Sequence, residues 1–437
     1  MRYRTFVDQF ATRISVGELP PGTRLPPQRE FAYQNGIAYS TAARIYAELT
    51  RMGLITGEVG RGTYVRDRRL PSAALAEPRR TPVDLEYNFP MIAAQSSAVA
   101  EVLRALDPEA ALVPGRIEGS PELRALTADY LERGSWRPHP DQVLFAANGR
   151  QAIAAALSAL MRPGERMGVE PMTYPVARGI AARMGIQVVP LQMDSQGIDP
   201  DGLREAAAAG GIRALYVQPD FQNPMGLLTP VHRRREIAEI LNEFQLPAIE
   251  DGIYAFLGDL PPIASFAPAQ TILIDSLSKR VAPGLGLGYL VASSRFLPSL
   301  AQSLRTGPWG PTGLSLEFGR LWLSRNDVRR FDVLKRDDAA ARQRLARTIL
   351  GDFQISGDPR AYHLWLGLPD PWRAEDFAAA AARDGIAVTP AHAFAAGKGH
   401  APAAVRIALS APPLPMLEEA LKRLATLMRE GPVDRED

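Results

Sequence analysis

Lys279 stands in the run Asp275-Ser276-Leu277-Ser278-Lys279-Arg280-Val281-Ala282-Pro283-Gly284-Leu285-Gly286-Leu287-Gly288-Tyr289. It is one of four lysines, with Lys335, Lys398 and Lys422; the other 46 of the 50 basic residues are arginine. A chain that uses arginine wherever charge alone is wanted keeps lysine for its amine. An amine can lose its proton and condense with an aldehyde, which a guanidinium cannot do. Here the amine follows a strand-like apolar run, Thr271-Ile272-Leu273-Ile274, and precedes a segment rich in Pro and Gly. A solvated surface lysine is the plain alternative, and the neighbouring motifs decide between them.

Other chemically able residues recur at similar junctions. Asp251 follows the apolar run Leu246-Pro247-Ala248-Ile249, with Tyr254 three residues on, and Asn223 lies in Gln218-Pro219-Asp220-Phe221-Gln222-Asn223-Pro224-Met225-Gly226. Gly149-Arg150-Gln151 opens a helical stretch, and Tyr174 lies in Glu170-Pro171-Met172-Thr173-Tyr174-Pro175. This set matches the needs of pyridoxal 5'-phosphate (PLP): an amine for the aldehyde, a carboxylate for the pyridine nitrogen, donors for the 3-oxygen and a phosphate cradle. Asp251 suits the pyridine nitrogen, Tyr254 and Asn223 the 3-oxygen, and Tyr174 the ring face. The helix start at Gly149 and Arg150 offers backbone N–H groups to a phosphate. Each residue alone is weak, since Asp and Asn-Pro are common turn formers. The ordered set is strong.

The elements that must position these residues are legible as alternating runs. Strands are expected at Gln142–Ala146, Met167–Val169, Gln187–Leu191, Ala214–Gln218, Pro247–Glu250 and Thr271–Asp275. Helices are expected at 149–161, 175–184, 200–209 and 230–244. Such alternation predicts a mainly parallel α/β sheet, with ligands at the carboxyl ends of its strands. Residues 330–430 read as a smaller α+β lobe, with helices at 331–351, 374–384 and 414–428 and strands at Ala361–Leu366 and Val405–Ser410.

Residues 1–66 have a different pattern. Phe6, Phe10 and Ile14 mark one amphipathic helix, and Pro26-Pro27 opens a second that carries Phe31 and Ala32. Asn35-Gly36 supplies a turn, and Ser40 is placed to cap a third helix ending near Met52. Leu54–Gly57 and Gly62–Val65 flank Glu58-Val59-Gly60-Arg61 as a hairpin wing. That is the pattern of a winged helix-turn-helix, which lays one helix in the DNA major groove. The charge agrees: balances are +4 over 1–66, +2 over 67–80 and −4 over 81–437. Residues 67–83, rich in Pro, Ala and Arg, read as a linker joining domains 1–66 and 84–437.

The head resembles the GntR family of bacterial regulators through Gly17–Arg29, Ala47–Ile55 and Gly60–Val65. The resemblance implies that Arg29, Ser40, Thr41, Arg44, Arg61 and Gly62 face DNA. The rest, across roughly 85–430, is similar to the fold-type I aminotransferase superfamily, and the two joined resemble the MocR/PdxR/GabR regulators. That implies a winged helix-turn-helix ahead of a PLP-dependent transferase-like large domain with a small C-terminal lobe. Lys279 is then the Schiff-base lysine, with Ser276 and Ser278 joining Gly149 and Arg150 at the phosphate. Arg406, in Val405-Arg406-Ile407-Ala408-Leu409, matches the arginine that takes an amino-acid carboxylate.

Two departures touch the phosphate cup. Gly286 stands where the family has an arginine, which leaves Arg280 or Arg150 to supply the charge. Val113-Pro114-Gly115-Arg116 lacks the family's tyrosine. The leading expectation is a DNA-binding regulator, a homodimer, that senses a small amino-acid-like effector through PLP. An active aminotransferase with a DNA-binding extension, and a regulator whose body has lost PLP, are the alternatives. With no cysteine, disulfides and thiolate chemistry are excluded, and five histidines without HxxxH or HExxH spacing argue against a metal enzyme. No apolar run approaches a membrane span, and no export-type apolar core follows Met1–Arg4, so the expected compartment is the cytoplasm.

Overall fold

The computed structural model describes residues 3–432 apart from 16–17, 21, 52–53, 59–61, 66–80, 135, 326 and 398–400. The head is three helices, Tyr3–Ser15, Gln28–Gln34 and Tyr39–Arg51, followed by a hairpin of Ile55–Glu58 and Gly62–Val65. A third strand, Arg24–Leu25, pairs with Gly62–Val65 and was not foreseen, because a two-residue strand leaves no alternation to read. Phe31 centres the core, packed edge-on against Phe10 at 5.2 Å and Tyr46 at 5.5 Å. Ser40 lies inside the third helix, which starts at Tyr39, so it is a first-turn residue and not the cap.

Seven strands form the body's sheet in the spatial order Val143–Ala146, Gly288–Val291, Thr271–Ser276, Ala248–Asp251, Ala214–Val217, Arg166–Val169 and Gln187–Pro190. All pairings are parallel except the two made by Gly288–Val291, which runs against both neighbours. That strand was missed because its glycines read as loop. Strands Val143–Ala146, Ala214–Val217, Ala248–Asp251 and Thr271–Ser276 are buried throughout, as expected for a sheet covered on both faces. Helices Gly149–Leu160, Pro175–Arg183, Pro200–Ala208 and Val231–Glu243 fall within a residue or two of the expected spans.

The small lobe has a four-stranded antiparallel sheet in the order Ile355–Ser356, His363–Gly367, Ala404–Ala408, Thr389–Pro390. Helices Asp327–Leu350, Ala374–Arg383 and Leu414–Glu430 accompany it. Val83, assigned to the linker from sequence, is already part of the body: Val83–Asp84 pairs in parallel with Ile386–Ala387 of this lobe. The linker's 67–80 portion, with its arginines, lies outside the described residues. Among the described residues no helix is long and apolar enough to cross a membrane.

Candidate functional site

Strand register explains why the site residues converge. Asp251 is aligned with Ile274 in the parallel pair, so Asp251 and Ser276 end neighbouring strands, and Lys279 follows one turn later. A cavity of about 390 Å³ opens at these strand ends. Lys279, Asp251, Tyr254, Asn223, Tyr174, Arg406, Ser276, Ser278, Gly149 and Arg150 all line it, so the ten body residues picked from sequence share one space.

The Lys279 amine donates to the Asn88 carbonyl at 2.7 Å and to the Tyr254 hydroxyl at 2.9 Å. Its ammonium form is disfavoured by burial first and the Arg406 charge second, only partly offset by Asp251, which brings its pKa down to about 7. A neutral amine, the nucleophilic form, is therefore populated at neutral pH. Asp251 accepts from the Tyr216 hydroxyl at 2.6 Å, Gln218 Nε2 at 3.0 Å and the Ile253 amide at 3.1 Å. Burial pushes its pKa up, while these bonds hold it down.

Arg406 is buried on strand Ala404–Ala408. It donates to Asn223 Oδ1 at 3.0 Å, to Thr389 Oγ1 at 3.2 Å and to the Glu86 carbonyl, with its guanidinium 5.0 Å from the Phe394 ring centre. Loop 391–396 is tied to the large domain. Arg178 donates to the carbonyls of Ala393 and Ala395, and the Thr173 amide bonds Phe394 O at 3.0 Å. The loop that carries Asn223 is fixed by Asp220, which sits between Arg133 at 3.0 Å and Arg234 at 2.6 Å.

At the opposite end Asn148 caps helix Gly149–Leu160 by accepting from the Gln151 amide, which leaves the Gly149 and Arg150 amides directed out of the helix end. Ser276 and Ser278 hydroxyls are 2.8 Å apart beside it. Gly286 closes this rim: a Cβ there would lie 2.8 Å from Ser278 Oγ and 3.4 Å from Asn148 Cβ. Of the two arginines expected to replace the missing one, Arg150 lines the cavity along with Tyr174. Arg280 does not. It is buried away from the cavity, paired with Asp275 and bonded to the Tyr130 hydroxyl, so its charge is already committed.

Sequence reasoning missed Asn88, His363, Glu86 and Thr389. None lies in a motif; a lone His in an apolar strand reads as core, and only the fold brings residues 86–89 across the cavity.

On the head, Arg29, Ser40 and Arg44 are exposed and Thr41 is half-buried, all on the second and third helices. Tyr33 and Tyr39 are exposed on the same helix pair, and the Arg29 guanidinium lies 5.8 Å from the Tyr39 ring centre. Gly62 has a φ of +122°, a backbone conformation that favours glycine, while the only close neighbour of a Cβ there would be the movable Arg24 side chain. Arg61 lies outside the described residues.

Fold and site together define a helix-turn-helix head on an aminotransferase-like body. Residues 2–65 match the gntR family of bacterial regulatory proteins, and residues 81–424 match aminotransferase class I and II. The chain therefore belongs to the MocR/PdxR type of regulator, in which these two families are joined. It is 31% identical over 437 residues to the HTH-type transcriptional regulator YdeF of Bacillus subtilis, covering 98% of this chain and 94% of that one. It is 27% identical over 298 residues to the pyridoxine biosynthesis regulator PdxR of Corynebacterium glutamicum, covering 65% and 64%. Among solved structures, the α-aminoadipate aminotransferase LysN of Thermus thermophilus aligns with a TM-score of 0.73 at 23% identity. That match covers 83% of this chain and 96% of LysN, a likeness of fold.

Proposed function

We propose that this protein is a DNA-binding transcriptional regulator whose body binds PLP and uses it to sense a small amine bearing a carboxylate. One observation carries the reading. In one cavity of a chain that carries a winged helix head, a half-buried amine held near neutrality shares the lining with a buried carboxylate and a buried guanidinium.

The residues fit the group. Tyr254's hydroxyl receives N–H donors from Asn88 and from Lys279, so its own proton is the one left for a ligand oxygen. Asn223 gives its oxygen to Arg406 and keeps its amide nitrogen as a further donor. Asp251 would hold the pyridine nitrogen in its protonated form. The Gly149 and Arg150 amides, with Ser276 and Ser278, would take the phosphate, and Tyr174 would cover the ring. When bound, PLP supplies an aldehyde for amines and a ring that absorbs visible light.

Arg406 would take the effector's carboxylate as a bidentate pair, exchanging the Glu86 carbonyl and Asn223 oxygen for charged partners. Regulation and not turnover is the role supported, because a metabolic enzyme has no use for a basic DNA-binding head. The paired body is proposed to be a homodimer, since a helix-turn-helix usually reads two half-sites. Absorption spectra of the purified protein with added PLP test the reading. A visible band that is lost in Lys279→Ala is expected, and its absence in excess PLP sinks it.

A further inference from the structure

Four groups from separate parts of the chain meet beside Lys279. Asn88 follows strand Val83–Asp84, Tyr254 follows strand Ala248–Asp251, His363 opens the small-lobe strand His363–Gly367, and Gln222 precedes Asn223. His363 Nε2 lies 3.0 Å from the Gln222 carbonyl oxygen, which can only accept, so Nε2 carries the proton. Nδ1 must then accept, and it faces Asn88 Nδ2 at 3.2 Å. This decides which end of the Asn88 amide is nitrogen, an assignment that only a network can make. The same nitrogen donates to the Tyr254 hydroxyl at 2.7 Å, while Asn88 Oδ1 is buried and has no partner. Burial brings the His363 pKa down to about 3, so the ring stays neutral and keeps this tautomer at neutral pH.

We propose that Asn88 and His363 act as a positioning pair: His363 locks the Asn88 amide so that the Tyr254 hydroxyl accepts from it as well as from Lys279, which makes that hydroxyl a poorer acceptor for an ammonium, and keeps its own proton for the cavity. This rests on the reading above for Lys279 as the reactive amine, and adds how that amine is kept uncharged. With His363 gone the amide is released to turn Oδ1 toward Tyr254 and Lys279, where a carbonyl oxygen stabilises an ammonium. The other groups facing Lys279 are unchanged by such a substitution. Arg406, Arg150 and Lys335 disfavour its charge, Asp251 favours it, and Tyr254 and the Asn88 carbonyl accept from it.

The test uses the full-length protein, freed of any bound aldehyde with hydroxylamine. Acetic anhydride labels it in pulses across a pH series, and mass spectrometry of the Lys279 peptide gives the midpoint of amine reactivity. His363→Phe and Asn88→Ala should each raise that midpoint by about half to one pH unit, the worth of one hydrogen bond. His363→Asn, whose Oδ1 sits where Nδ1 was, should keep the parental midpoint. The double variant His363→Phe/Asn88→Ala should shift no further than either single one, since the two act as a unit. Loosened packing predicts the reverse order, because the smaller Asn admits more water than Phe. That order, or additive shifts, overturns the proposal. An unchanged midpoint in Asn88→Ala overturns it even where His363→Phe does not fold. No cofactor enters the measurement, so a protein that fails to bind PLP overturns the earlier reading and leaves this one standing on its own data.

Discussion

Arg373 Nε donates to the carboxylate of Glu48 at 2.6 Å, joining the third helix of the head to the small lobe. Both side chains are only 14% exposed, and Asp8 of the first helix lies 3.9 Å from the same guanidinium. Arg373 immediately precedes helix Ala374–Arg383, which packs on Ile386–Ala387, the strand that pairs with Val83–Asp84. The pair thus links the small lobe to the third helix of the head. Arg373→Ala should reduce the ratio of DNA affinities with and without effector, from the 5- to 150-fold range typical of coupled sites toward about one. Fluorescence anisotropy on operator DNA measures it, and a ratio equal to the parent's removes the pair from the signal path.

The pH dependence of the amine follows from its burial. The Lys279 pKa is lowered from 10.5 to about 7, so the folded state binds fewer protons than the unfolded between those values. Stability therefore rises with pH through that window, and the cost of burying the charge is greatest below pH 7. Lys279→Met should stabilise the protein most in mildly acidic buffer and progressively less toward alkaline pH. Urea unfolding of parent and variant along a pH series reads the difference directly, and Lys335, similarly lowered to about 7, cancels in that comparison. The parent's rate of PLP capture should climb through neutrality and level off above it.

Gly286 has an ordinary extended backbone, with φ −69° and ψ 137°, so a side chain is tolerated there by conformation. Space is the constraint, since its Cβ would press on Ser278 Oγ. Gly286→Arg should strengthen PLP retention by returning a phosphate-binding charge, and Gly286→Arg/Ser278→Ala should strengthen it further by removing the clash. Equilibrium dialysis of PLP ranks the three proteins. A double variant weaker than Gly286→Arg would show that the serine hydroxyl matters more than the room it takes.

Lys279 and Asp251 were legible as candidates because each follows an apolar run, and strand ends are where an open α/β sheet gathers its ligands. Asp251 and Lys279 are 28 residues apart in sequence, yet both follow runs ending at adjacent positions of neighbouring strands. Asn88 and His363, 275 residues apart, touch through side chains alone, and no periodicity encodes that. Arg280 illustrates a further limit: beside Lys279 in sequence it points the opposite way, drawn to Asp275 and Tyr130. Helices Gln95–Ala105, Leu297–Thr306 and Gly313–Ser324 were not assigned, since they fall between the motifs that drew the reading.

The head residues proposed to face DNA divide into two kinds. Arg44 lies on the exposed face of the third helix, one turn from Ser40, and is proposed to read a base edge. Arg44→Ala should cost about 1–3 kcal/mol on the preferred site and narrow the gap between preferred and random DNA. Arg29, on the second helix beside Tyr39, is proposed to meet a phosphate. Arg29→Ala should weaken binding to all sequences alike and reduce the salt slope by about one. Titrations at several salt concentrations on specific and random duplexes distinguish the two, and identical behaviour of the variants would refute the division of labour.

Linkage supplies the most demanding check on a sensor. An effector changes DNA binding only to the extent that it binds two arrangements of body and head unequally. Thermodynamic reciprocity then requires operator DNA to change effector affinity by the same factor. With its carboxylate on Arg406 and its amine at Lys279, the proposed effector would replace the bonds those two residues make to the carbonyls of Glu86 and Asn88. That segment continues back into Val83–Asp84, the first described strand after the head, so its release would bear on the strand's pairing with Ile386–Ala387. Titrating candidate amino acids against the visible absorbance of the PLP-loaded protein, with and without operator, should give affinities whose ratio equals the effector's effect on DNA. Equal affinities in the two titrations would leave the cavity uncoupled from the head.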